Sequence, residues 1–89
     1  MIVAHAPLHD WYVDGEASAV FVGDQVMVLS ELATAILTLI GPDGQASIAQ
    51  IAEGLVAQFG DPGSPAEELA LARVTELIDQ GVLVEVAPD

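Results

Sequence analysis

The first part of the chain alternates short apolar runs with glycine-containing turns. Residues 8–13, 17–22 and 25–29 are separated by Asp14-Gly15 and Gly23-Asp24, dipeptides suited to tight hairpin turns. Val20, Phe21, Val22, Val26 and Val28 are β-branched or aromatic, which fits a pleated, half-buried surface. The pattern predicts a three-stranded antiparallel meander. At Ser30 the period becomes helical. Ser30 suits the cap position, Glu31 faces the positive end of the helix dipole, and Leu32, Ala33, Ile36, Leu39 and Ile40 form the predicted core stripe. Gly41-Pro42-Asp43-Gly44 ends that helix.

A second helix is predicted to start at Ser47, where Ser47 and Gln50 have capping-box spacing, with Ile48, Ile51, Ala52, Leu55 and Phe59 as its stripe and Gly60 as its end. Ser64-Pro65-Ala66-Glu67 combines a capping box with Pro at the first helical position, opening a third helix that runs to Gln80. Ala70, Val74, Leu77 and Ile78 are its core stripe and Gly81 its close, with residues 82–86 extended at the sheet margin. The predicted fold is α+β in the order β-β-β-α-α-α. A small sheet needs a cover for its apolar face, and the three helices are the only source of one. The architecture resembles a winged helix with its strands placed first. All 89 residues form one predicted domain, with residues 1–7 as a loose N-terminal arm.

Composition narrows the function. At 53% hydrophobic residues and a mean hydropathy of +0.56, the chain has enough apolar content to fold. The core of so small a domain is thin, burying roughly two-thirds of the extended-chain surface. There is no cysteine, which excludes disulfides and thiol chemistry. One cation, Arg73, stands against fourteen acids for a net charge of −13, so neither nucleic acid nor an anionic membrane is an expected partner. The N-terminus lacks the basic residues of a signal peptide, and the apolar runs fall short of the ~20 residues a membrane-spanning helix needs. A soluble cytoplasmic protein is the expectation.

Catalytic chemistry finds no foothold. His5 and His9, with Asp10 adjacent, have a spacing that metal pairs use, but Pro7 lies between them and no further ligand is near. Solvated histidines on a terminal arm are the plainer reading. Glu67-Glu68 fits the first turn of a helix electrostatically, the serines read as caps, and the glycines stand singly at turns. No metal, cofactor or catalytic residue is expected. Trp11-Tyr12 fits the core better than a docking site, and Arg73 has Glu76 as its only local partner.

Binding is better served. The run Gln25, Val26, Met27, Val28, Leu29 contains no charge and no proline, so at a sheet edge it would be undefended against pairing. Leu69 and Ala72 put apolar surface on the third helix beyond its core stripe. A strand edge beside such a helix accepts an extended peptide by strand addition. The alternative covers for that edge are the tail at residues 82–86 and a second copy of the chain, which would make a homodimer.

The chain resembles the PqqD family, small peptide-binding modules also called RiPP recognition elements. The resemblance rests on Val26-Met27-Val28-Leu29-Ser30 leading into Ala33, Ile36 and Leu39. It continues through Ser47-Ile48, Ile51-Ala52, Leu55 and Phe59-Gly60 to Leu77-Ile78-Asp79-Gln80-Gly81-Val82-Leu83, so that it covers residues 17–86. Ser30 stands where the family often has Asn, and Leu69 falls near a position that is often acidic. The resemblance implies the strand-first winged-helix fold and a non-catalytic role. Such a module holds the leader segment of a ribosomally made precursor peptide and presents it to a modifying enzyme. The leader is implied to pair with Gln25, Val26, Met27, Val28 and Leu29 and to lie along the third helix at Leu69, Ala72, Arg73 and Glu76. The excess of acids would favour a basic leader or a basic face on the enzyme. The readings from other classes are a structural subunit that stabilises a partner enzyme and, more remotely, a winged-helix DNA-binding regulator.

Overall fold

The computed structural model describes residues 1–7 and 10–86. Nine elements follow in the order β1 (Ile2–His5), β2 (Asp10–Asp14), β3 (Ala17–Val22), β4 (Gln25–Leu29), α1 (Glu31–Ile40), β5 (Ala46–Ser47), α2 (Ile48–Phe59), α3 (Ala66–Asp79) and β6 (Leu83–Val86). The described residues thus form an α+β fold, with three helices and two three-stranded antiparallel sheets.

The meander is one of the two sheets, in the order β2-β3-β4. Val22 pairs with Gln25 and Asp14 with Ala17, so each hairpin closes on two residues. Gly23 (φ 64°) and Gly15 (φ 65°) take the first loop position and no other residue type has positive φ among the described residues, the type II′ pattern that matches strand twist. The first strand starts at Asp10 where residue 8 was predicted; Leu8 and His9 lie outside the described residues.

The second sheet corrects the predicted order. Residues Ile2–His5 are no loose arm: they form the central strand of β5-β1-β6, and Val3 is fully buried. The tail does not join the meander; Leu83–Val86 pairs with β1, with His5 opposite Leu83 and Ile2 opposite Val86. Val3, Val82 and Leu83 have only the core to shelter them, and pairing the two ends of the chain satisfies the backbone groups that their burial would otherwise orphan.

Helix α1 is capped as predicted, Ala33 N–H donating to Ser30 Oγ at 3.1 Å, and Gly41 (φ 78°) ends it. Its buried arc is Thr34, Ala35, Ile36, Leu37 and Ile40, whereas Leu39, predicted as core, is 40% exposed. The arc is wide because α1 is enclosed by both sheets and both other helices. On α2 the capping box forms in full: Gln50 N–H donates to Ser47 Oγ at 3.2 Å and Ser47 N–H to Gln50 Oε1 at 2.9 Å. The box predicted for α3 does not form. Pro65 takes the cap position and no side chain caps the helix there. Ala70, Val74 and Leu77 bury the face of α3 turned to the core.

Candidate functional site

Among the described residues strand β4 is an edge strand, bonded to β3 on one side only. A tight turn closes with the i C=O bonded to the i+3 N–H, here Val22 and Gln25. Since bonded and non-bonded pairs alternate along an antiparallel ladder, Gln25, Met27 and Leu29 face β3 with their backbone groups. The N–H and C=O of Val26 and Val28 are therefore turned to the open edge. No charge, proline or bulge defends it.

Beyond β4 and α1 stands α3. Between them lies a groove of about 440 Å³ whose walls include Val28, Leu29 and Ser30 on one side and Arg73, Glu76 and Gln80 on the other, with Leu32, Ala33 and Leu77. Arg73 Nη1 reaches Glu76 Oε1 at 3.2 Å and Oε2 at 3.3 Å, the local pair predicted from their spacing. Both side chains are more than half exposed, so the pair contributes little to stability and its partners can be exchanged for a ligand's. Next to the groove a smaller apolar cleft of about 220 Å³ opens between the three helices, lined by Leu55, Val56, Phe59, Pro62 and Leu69 among others. Leu32 and Arg73 belong to both cavities.

The predicted site residues divide accordingly. Val28, Leu29, Arg73 and Glu76 meet in the groove, and Leu69 joins Arg73 in the cleft. The Leu29 side chain is committed to the core and Met27 is half-buried against it, so both offer a peptide less than Val26 and Val28 do. Gln25 and Val26 lie exposed farther along β4 and do not wall the groove. Ala72 is exposed on α3 and walls neither cavity. Leu32, Ala33 and Gln80 were missed as groove residues. Leu55 and Phe59, predicted as core, line the open cleft, Phe59 being exposed.

The other candidates form no site. His5 Nε2 donates to the Leu37 carbonyl at 2.9 Å, and its ring packs on Trp11 with centroids 5.1 Å apart. His9 lies outside the described residues, and no group of three or more His, Asp or Glu side chains gathers among those described. Trp11 is half-buried against the core as predicted, but Tyr12, which the same prediction placed there, points away from it. No described helix is long and apolar enough to cross a membrane. Comparison with protein-family models, curated proteins and solved structures returns no match to this chain.

Proposed function

We propose that this chain is a non-catalytic peptide-binding module, which takes an extended segment as an added strand on β4 and holds it against α3. The observation that carries the reading is the pairing of an undefended edge with a groove: the backbone of Val26 and Val28 lies open, and Arg73, Glu76 and Gln80 form a wall beside it. Main-chain hydrogen bonds would supply affinity and alternate side chains the specificity.

The segment is the leader of a ribosomally made precursor peptide, and its recipient is a peptide-modifying enzyme. This finer assignment rests on the resemblance to the PqqD family, with β2-β3-β4 followed by three helices as the strand-first winged helix and the β5-β1-β6 sheet as an addition to it. The mechanism is tethering. A short linker between bound leader and core peptide gives an effective concentration of about millimolar near the enzyme's active site.

Titration of the chain with the labelled leader of a precursor encoded beside it, followed by amide exchange, tests the proposal. The expected result is saturable binding with new protection at the Val26 and Val28 amides. Binding that protects other amides, or none, would count against it.

A further inference from the structure

We infer that the outward face of the β2-β3-β4 sheet is a second docking surface, for a protein partner whose contact area has an apolar centre flanked by Lys or Arg. The strand registers set Tyr12 opposite Ala19 and Ala19 opposite Val28, and Asp10 opposite Phe21 and Phe21 opposite Val26, so all six share one face. That face is turned from the core: Tyr12 is 59%, Phe21 41%, Val26 56% and Val28 81% exposed. Tyr12 and Phe21 already meet edge to face at 6.0 Å, a preformed aromatic pair with little left to order on binding. An exposed face of a small sheet is ordinarily polar, and contiguous apolar surface marks a contact site.

Charge selects the occupant. Asp10 and Asp14 lie on the same face of β2, Glu16 and Asp24 stand in the adjoining turns, and none of these elements carries a cation. A second copy would set these carboxylates against their own kind. The chain's single cation, Arg73, sits on α3 and is paired with Glu76. Nucleic acid is repelled by the same carboxylates. A surface with apolar side chains between basic ones satisfies both the aromatic pair and its acidic rim. The inference does not depend on the groove, since Tyr12 and Phe21 lie on strands other than the edge strand β4.

The probe is a short amphipathic helix of Leu and Lys, titrated into the isotope-labelled full chain, with a Leu and Glu helix as its counterpart. Amide shifts are expected to centre on Tyr12, Ala19 and Phe21 for the Lys peptide, to weaken with salt, and to be absent for the Glu peptide. Tyr12→Ser with Phe21→Ser should weaken binding at least about tenfold, as loss of aromatic anchors does. Asp10→Asn with Asp14→Asn, which touches only the rim, should weaken it about threefold at low salt, serving as the second variant should the first fail to fold. Shifts centred elsewhere, or undiminished binding by the folded variants, would overturn the inference. So would self-association through this face in sedimentation, or its adsorption to phosphatidylcholine vesicles. Loss of leader binding at β4 with these shifts intact would defeat the groove proposal alone.

Discussion

Ser18 on β3 and Thr34 on α1 place their hydroxyl oxygens 2.7 Å apart inside the core, a buried polar pair that joins the meander to the central helix. Neither hydroxyl has water to fall back on, so the pair is worth more when broken than when absent. Ser18→Ala or Thr34→Val alone should cost about 1–3 kcal/mol by leaving one hydroxyl unpaired. The double variant should cost less than the sum of the two, because no orphan remains. Each kcal/mol lowers the melting temperature of a domain this size by about 4–8 °C, so thermal melts resolve the cycle. Strict additivity would mean that the two oxygens do not share a proton.

The helix starts differ in a way that stability reads directly. Ser47 makes both bonds of its capping box, whereas the α3 start has no side-chain cap. Ser47→Ala should therefore cost about 1 kcal/mol. Ser64→Ala should stay within about 0.5 kcal/mol, as for a surface position without partners. Denaturant midpoints of the two single variants make the comparison.

Gly54 in the middle of α2 makes room for the Leu39 side chain of α1. A Cβ built at Gly54 would lie 2.6 and 2.8 Å from the Leu39 methyl carbons, so the leucine lies over the gap that a glycine leaves. Ala in a helix interior is favoured over Gly by about 1 kcal/mol, which here opposes the displacement of a partly exposed, flexible side chain. Gly54→Ala alone should change stability by less than about 1 kcal/mol, the two effects offsetting. In a Leu39→Ala background the same change should stabilise by about 1 kcal/mol. Chemical denaturation of the four proteins measures the coupling, and equal effects of Gly54→Ala in both backgrounds would contradict it.

Local signals in the sequence were sufficient for most of what local chemistry decides, the uncapped start of α3 being the exception. The turns at Gly15 and Gly23, the caps at Ser30 and Ser47 and the bounds of β3 and β4 stand where the residues put them. Strand β1 was not legible, because its partners, Leu83–Val86 and Ala46–Ser47, lie far along the chain and four residues carry no period of their own. On α1 seven of the ten positions are apolar, spread round the helix, so periodicity could not choose between Leu37, which is buried, and Leu39, which is not. The groove was half legible. An uncharged edge run and a lone Arg announce β4 and Arg73, but that Leu32 and Gln80 face them depends on how α1 and α3 pack.

Proline substitution discriminates most sharply at the proposed groove, because the two sides of β4 answer in opposite ways. The Val28 N–H faces outward, and an edge strand tolerates Pro where its N–H is not used in the ladder. The residue before it, Met27, is already extended, as a residue preceding Pro must be. Val28→Pro should thus fold, yet it removes the donor an added strand needs and sets a ring in that strand's path, weakening leader binding by about tenfold or more. Met27→Pro, by contrast, deletes a bond to β3 and should destabilise the fold itself. Glu53→Gln, on an exposed position of α2 outside the groove, should leave leader affinity unchanged. Fluorescence anisotropy with the labelled leader, run beside circular dichroism of each variant, separates these outcomes. A folded Val28→Pro chain that binds as tightly as the parent would mean that the leader does not pair with this edge.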